Sequence, residues 1–331
     1  MTRLSEDELI ATLFAPLAGP GGLGLRDDAA VIAARPGHDL VISKDMLIAG
    51  VHFFAADPPD AIARKALRVN LSDLAAKGAE PLGFLLGLGL PTDWTSEWLK
   101  AFAQGLGEDT QDFGCPLLGG DTVRTPGPLS LSITAFGVVP SGRMVPRTGA
   151  GAGDLLYVSG TIGDAAIGLR LRLQDRLDTP WIAVLGEKAA AFLRDRYLLP
   201  RPRLGLRAAL LAHASAAMDV SDGLAGDLGK MLGLAGLTAN ISVDGVPLSE
   251  AARAALKLSP ALIETILTGG DDYEILCAVP PSSAKAFEAS AKESGISVTR
   301  IGLSRPGEAA PRFNDSDGAA LALATRSFSH F

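Results

Sequence analysis

Residues 140–153 hold four glycines and two prolines, and they interrupt a chain that otherwise alternates strand-like apolar runs with helix-period segments. Alternation on both sides of the break limits the fold to mixed α and β structure. The break predicts two domains, residues 1–150 and 151–331, with the boundary near Ala150. Length agrees, because 331 residues exceed what one hydrophobic core commonly supports and 47% apolar residues are enough for two. In the first half, residues 6–17 have the pattern of a short amphipathic helix. Strand-like runs follow at 40–43, 82–90, 116–118 and 129–139, separated by helical patterns at 59–77 and 95–113. The second half restarts with a strand at 155–159, helices at 164–173, 181–199 and 202–212, a strand at 216–220 and a helix from Ser221. Strands at 239–243 and 273–279 and a helix at 282–293 complete it.

Composition excludes several classes. The net charge is −7 and the pI about 5.2, with no basic run, which argues against a nucleic-acid binder, whose affinity comes largely from Lys and Arg neutralising phosphates. An acidic protein that handles phosphate needs metal ions as intermediaries. The two cysteines, Cys115 and Cys277, lie far apart and indicate neither a zinc site nor a disulfide framework. The start is acidic by its sixth residue and lacks the basic and apolar regions of a signal peptide, so a cytoplasmic protein is expected. The most apolar stretch, residues 82–90 between Pro81 and Pro91, falls far short of the roughly 20 residues a membrane span needs, and no membrane partner is expected. Gly19-Pro-Gly-Gly-Leu-Gly24 satisfies the dinucleotide pattern G-x-G-x-x-G, but a helical pattern rather than a strand precedes it and Arg-Asp-Asp rather than a helix follows.

The informative feature is a set of seven aspartates beside small residues, each at a predicted strand end or helix start: Asp27, Asp28, Asp45, Asp73, Asp121, Asp219 and Asp222. Taken singly, each has a local explanation, because Asp, Gly and Ser dominate turns and caps; Asp73 and Lys77 have the spacing of a helical ion pair, and Gly119-Gly-Asp-Thr122 that of a tight turn. Taken jointly, they point to magnesium. That ion takes oxygen ligands and is held by one or two carboxylates together with substrate phosphates, so short, stiff aspartates suit a caged polyphosphate. Gly119 and Gly120 let backbone approach phosphate closely, and Ser221 is predicted to open a helix whose N–H groups suit an anion. Neither a Walker-type G-x-x-x-x-G-K-[ST] nor the protein-kinase signatures occur.

Eight segments in order extend this pattern: Asp27-Asp28-Ala-Ala-Val, Asp45-Met-Leu-Ile-Ala-Gly-Val-His52-Phe53, Asn70-Leu-Ser-Asp73-Leu-Ala-Ala, Gly119-Gly-Asp-Thr, Arg147-Thr-Gly-Ala, Asp219-Val-Ser-Asp-Gly-Leu, Gly269-Gly-Asp-Asp-Tyr-Glu274 and the terminal His330-Phe331. With them the sequence resembles the thiamine-monophosphate kinase family, of the superfamily that also holds aminoimidazole ribonucleotide synthetase and selenophosphate synthetase. The resemblance implies an α/β (α+β) fold of two mixed domains. The N-terminal domain would form a homodimer interface, the C-terminal domain would complete the active site, and the nucleotide would lie between the two. It implies magnesium as cofactor, ATP as co-substrate and thiamine monophosphate as acceptor. Asp28, Ser43, Lys44, Asp45, Asp73, Asp121, Asp219 and Asp222 fall at metal positions, Lys44 able to offer only its backbone carbonyl. Gly120, Asp121, Arg147 and Ser221 fall at ATP positions, with Asp121 and Arg147 the catalytic pair. His52, Asp271 and Phe328 fall at substrate positions.

Four residues depart from the family pattern. Arg26 stands where the family commonly has Gly, Lys44 where it often has Thr or Ser, Asp271 where it usually has Glu, and Ala103 where some members place an aromatic residue near the adenine. The alternative readings are another ATP-using synthetase of the superfamily, a catalytically silent metal- and nucleotide-binding protein, and a metal-dependent phosphatase. Selenophosphate synthetases carry a reactive Cys or selenocysteine near the N-terminus, whereas the first cysteine here is Cys115.

Overall fold

The computed structural model describes residues 5–173, 178–325 and 327. It divides into two compact units, Met1–Leu74 with Ala79–Met144, and Ala75–Gly78 with Val145–Phe331. Each combines a sheet with helices. Among the described residues, no helix is long and apolar enough to cross a membrane.

The first unit is built on a four-stranded sheet in the order β1-β4-β2-β3, where β1 is His38–Ile48, β2 Glu80–Leu90, β3 Leu117–Arg124 and β4 Ser130–Pro140. β4 pairs antiparallel with β1 and β2, while β2 and β3 are parallel and joined through the helix Ser96–Asp112. Period-two alternation gives the sheet one apolar face, with Val41, Leu47, Phe84, Leu86, Leu88, Leu131, Ile133 and Ala135 all buried. The helix Pro59–Ala76 packs on that face: a Cβ on Gly137 of β4 would meet Leu74 Cδ2 at 3.2 Å. Gly105 lets Ser96–Asp112 touch it backbone to backbone, since a Cβ there would lie 2.5 Å from the Asp60 carbonyl oxygen. Asp109, fully buried, then accepts from both nitrogens of the Arg68 fork, at 2.6 and 2.8 Å, and from Arg64 Nε at 3.0 Å. Removing one partner of such a buried group leaves an uncompensated charge, which costs about 3–5 kcal/mol. The two helices are therefore fixed to each other, and with them Asn70 and Asp73.

Two strands run further than their apolar cores predict. β1 continues through Lys44 and Asp45 because its pairing with β4 is unbroken from His38↔Pro140 to Ile48↔Ser130, so Asp45 lies inside the strand instead of capping its end. β3 likewise contains Gly119, Gly120, Asp121 and Thr122, which pair in register with Leu85 to Leu88, so the tight-turn reading of Gly119–Thr122 fails. Strand pairing explains the need for Gly120: a Cβ there would come within 2.0 Å of the Leu86 carbonyl oxygen. At the N-terminus, the predicted helix over 6–17 is a single α-turn at Glu6–Leu9 that passes into a π-turn and a 3-10 turn.

The second unit carries a six-stranded sheet in the order β10-β7-β9-β5-β8-β6, with β5 Leu155–Ser159, β6 Ala216–Val220, β7 Leu237–Ser242, β8 Glu274–Val279, β9 Val298–Pro306 and β10 Arg312–Asn314. Only the β10–β7 pair is parallel among the pairings described. β6 and β8 are buried along their whole length, as strands covered on both faces must be. One face packs under helices that include Asp164–Leu173, Glu187–Leu198, Leu224–Gly233 and Leu262–Thr268. The other packs under Arg207–His213 and Ala284–Glu293, where Tyr157 and Phe287 meet edge to face at 5.2 Å. The predicted helix over 181–199 is broken at Gly186, an extended N-cap that restarts it as Glu187–Leu198. β9 and β10 have no counterpart among the strand-like runs, because the polar composition of β9 and the three residues of β10 carry little apolar signal.

Candidate functional site

In the first unit, β1 sends alternate residues to opposite sheet faces. Ser43 points to the helix side, where its hydroxyl donates to Asp73 Oδ2, and Asp45, two residues on, shares that face. One turn before Asp73, Asn70 donates its amide to the Ala66 carbonyl at 3.1 Å, while its Oδ1 is wholly buried with no hydrogen-bond partner. Asn70 lies one helical turn from Asp73 and its Ser43 partner, and these oxygens are of the kind that suit a hard cation such as magnesium. Among the described residues no three His, Cys, Asp or Glu groups converge closely enough to hold a metal by themselves.

The opposite face of the sheet opens into a groove of about 810 Å³, lined by Asp27, Asp28, Gly119, Gly120, Asp121, Thr122, Ser132 and the apolar Ile10, Phe14 and Phe136. Asp28 and Asp121 are both exposed there. Lys44 lies on this side too, its ammonium donating to Ser132 Oγ at 2.6 Å, so its charge points away from the face of Ser43 and Asp45. Ala103 is buried in the helix Ser96–Asp112. In the turn after β1, the Ile48 N–H donates to His52 Nδ1 at 3.0 Å, which makes Nδ1 an acceptor and places the ring proton on Nε2. The structure thus gathers the first unit's candidates into two groups, Ser43, Asp45 and Asp73 on one side of the sheet and Asp28 and Asp121 on the other.

In the second unit, β6 delivers Asp219, Ser221 and Asp222 at its C-terminal end. Asp219 is buried in the strand opposite Ile275. Arg147 is exposed on a segment alongside β6, tied there by the Ala217 N–H donating to the Pro146 carbonyl at 3.0 Å. Ser221 does not open a helix. The helix begins at Leu224, after Gly223 at φ 113, because Asp227 Oδ2 accepts the N–H groups of Ser221 at 3.1 Å and Asp222 at 3.0 Å and folds the intervening chain into a turn. The anion site expected at those N–H groups is therefore taken by a carboxylate of the chain. Burial pushes the Asp227 carboxyl up, opposed by the Asp222 N–H and by Lys230, whose ammonium spans Asp222 Oδ2 at 2.5 Å and Asp227 Oδ1 at 3.0 Å.

The Gly269–Glu274 segment docks beside this turn. The Asp271 N–H donates to the Ser221 carbonyl at 2.9 Å and the Tyr273 N–H to the Val220 carbonyl at 2.8 Å. Asp271 and Ser221 are thereby brought together. Phe328 lies outside the described residues. The sequence reading missed the buried support beneath: Asp272 and Glu274, with Arg196, Arg203, Asp164 and Ser159. Alternation within Asp271-Asp-Tyr-Glu274 is a signal for inward Asp272 and Glu274, but Arg196 and Arg203 stand more than 70 positions from Glu274 and carry no local mark.

Residues 26–139 match the N-terminal domain, and residues 151–309 the C-terminal domain, of the AIR synthase related protein family. The two-domain class is thereby defined. A thiamine-monophosphate kinase of Caulobacter vibrioides is 46% identical over 309 residues, 92% of this chain and 85% of that protein. The crystal structure of thiamine-monophosphate kinase from Stenotrophomonas maltophilia K279a is 38% identical, with TM-score 0.79 over 90% of this chain and 91% of that one. A structure described as AaThiL complexed with AMPPCP and TMP is 29% identical, with TM-score 0.76 over 100% and 99% of the two chains. The chain belongs to the thiamine-monophosphate kinase family.

Burial raises the Asp164 carboxyl, against bonds from Ser249 and Thr161, and raises Asp272 well above the ordinary 3.8. Groups so shifted bind more protons folded than unfolded, so their contribution to stability is largest in acid and is lost as pH rises from 3.8 through the folded-state values. Asp164→Asn removes one such group. Urea unfolding across a pH series should show this variant gaining stability relative to the parent between about pH 4 and neutrality; a pH-independent difference would contradict the assignment.

Proposed function

We propose that the protein transfers the γ-phosphoryl group of ATP directly and in line to the phosphate of thiamine monophosphate, yielding thiamine diphosphate in thiamine diphosphate biosynthesis. The carrying observation is the likeness, over essentially the whole of both chains, to the structure complexed with AMPPCP and TMP. Phosphoryl transfer demands positioning and charge neutralisation more than covalent chemistry, and this chain offers both. Gly120 lets strand backbone come up to a phosphate in the groove, and Asp121 sits beside it. Arg147 supplies a fixed positive charge for the polyphosphate, and Ser221, its N–H held by Asp227, is assigned to the ATP site through its side chain. His52, Asp271 and Phe328 are assigned to the acceptor. No general base is needed, since the acceptor phosphate, with a second pKa of about 6, is already anionic near neutrality. Magnesium, for which Asp28, Ser43, Asp45, Asp73, Asp121, Asp219 and Asp222 are the assigned ligands, with the Lys44 carbonyl beside them, would supply charge neutralisation between the two anions.

Purified protein with ATP, magnesium and thiamine monophosphate should form thiamine diphosphate, and free thiamine should be a poor acceptor, because a site built around a phosphate leaves polar groups unpaired without it. Hydrolysis of ATP with no thiamine diphosphate formed would remove this reading.

We propose a homodimer formed through the first unit. Leu40, Ile42 and Met46 of the edge strand β1 are 49, 58 and 55% exposed on one sheet face, and such a row suits a second copy of the same surface. Ile42→Glu should shift sedimentation from dimer to monomer; an unchanged mass would argue against this face. A cytoplasmic location is proposed on the two buried, unbridged thiols, and recovery of the native protein from the periplasm would exclude it.

Asp73→Asn tests the metal role separately. It preserves an oxygen to accept the Ser43 hydroxyl while removing a negative charge, so melting temperature should be nearly unchanged and kcat should fall about a hundredfold or more, with only partial recovery at high magnesium. An unaltered kcat would eliminate Asp73 as a ligand.

A further inference from the structure

The loop that joins the helix Leu262–Thr268 to β8 is held in a conformation that its residues do not favour. Asp271 and Tyr273 both lie in the left-handed region, at φ 71 and φ 50. Non-glycine residues persist there only where their surroundings over-determine the backbone. The intervening Asp272 is 1% exposed, and its carboxylate accepts the Gly163 N–H at 2.7 Å and the Ala165 N–H at 3.4 Å. Those donors belong to the start of the helix Asp164–Leu173, where N–H groups lack intrahelical partners and a carboxylate is favoured.

Glu274 is the second anchor. It accepts from Ser159 Oγ at 2.6 Å, Arg203 Nε at 2.6 Å and Arg196 Nη2 at 2.9 Å, and Arg196 Nη2 also reaches the Asp272 carbonyl at 3.3 Å. Arg196 thus grips the chain at both inward-pointing residues. On the outer side, the Asp271 and Tyr273 N–H groups bond the Ser221 and Val220 carbonyls, and a Cβ on Gly270 would stand 2.2 Å from the Ser221 oxygen. Even-numbered residues point in and odd-numbered ones out. Buried ion pairs stabilise no better than well-packed apolar residues, and Arg196 leaves Nη1 buried without a hydrogen-bond partner, so simple stability does not account for this arrangement.

We infer that the buried Arg196–Asp272–Glu274 lattice is a positioning device that holds Asp271 in its left-handed step and so sets its reach toward the phosphate acceptor. The inference rests on the substrate role proposed for Asp271. Asp272→Ala removes the anchor, whereas Asp272→Asn keeps an oxygen for the Gly163 N–H. With the full chain, ATP and magnesium, Asp272→Ala should raise the KM for thiamine monophosphate about tenfold or more, leave the KM for ATP within about twofold, and be largely rescued in Asp272→Asn. A folded Asp272→Ala protein with unchanged acceptor KM, or with both KM values raised equally, overturns the inference. Should Asp272→Ala fail to fold, Arg196→Lys retains the charge but loses the fork, and an unchanged acceptor KM there overturns it as well. Asp271→Ala separates the two claims. If it leaves the acceptor KM unchanged, the substrate role falls and the inference with it; if it raises that KM while Asp272→Ala does not, the positioning inference alone fails.

Discussion

Two buried carboxylates, Asp227 and Asp272, each accept a pair of backbone N–H groups, and the geometry at the end of β6 follows from them. Two N–H groups converging on one buried acceptor hold the backbone firmly, because burial removes water as a competitor. Asp227 draws Ser221 and Asp222 into a turn and delays the helix to Leu224; Asp272 draws its loop inward so that Asp271 and Tyr273 face out. The Asp271–Ser221 and Tyr273–Val220 bonds then close one turn upon the other. In the first unit Asp109 acts in the same way on two guanidinium groups, and the position of Asp73 depends on it.

Much of this architecture is legible in the sequence, because hydrophobic period is a strong signal where it is sustained. β5 and β6 fall at the residues their apolar runs indicate, and the helix Pro59–Ala76 ends one residue short of its pattern. Period is a poor guide where strand pairing outruns the apolar core. β1 absorbs Lys44 and Asp45 and β3 absorbs two glycines and an aspartate, because ladder hydrogen bonds to β4 and β2 are indifferent to side-chain polarity at a half-exposed face. Ser221 illustrates a different limit. A serine before an apolar run reads as an N-cap, but the competing cap, Asp227, comes six residues later from inside the helix itself. Nothing local marks Arg196 or Arg203 as partners of Glu274, since the pairing is made by the tertiary fold.

The same structure gives physical reasons for two departures from the family pattern. Lys44 brings no charge to the Ser43 and Asp45 face, because adjacent residues of a strand point to opposite sides. A lysine is accommodated there by Ser132, in place of a smaller residue. Asp271, where the family usually has Glu, occupies φ 71. Aspartate enters the left-handed region more readily than longer side chains because its short polar group bonds locally, so the shorter residue eases the step that the loop requires.

Charge distribution is consistent with the divalent ions proposed for this site. The chain has 37 acidic and 30 basic residues, and six of its cations are already engaged by carboxylates: Arg64 and Arg68 by Asp109, Arg196 and Arg203 by Glu274, Arg170 by Asp178, and Lys230 by Asp222. A guanidinium spent on a buried carboxylate cannot turn to a phosphate without stranding its partner, at a cost of several kcal/mol. Two phosphorylated substrates must nonetheless approach within bonding distance, against their own repulsion and the field of an acidic protein. Arg147, exposed and proposed at the polyphosphate, would offer one fixed charge, too little for a polyphosphate and a second phosphate together. On the proposed assignment, carboxylates such as Asp73, which accepts the Ser43 hydroxyl, would ease the difficulty by recruiting divalent ions together with the nucleotide.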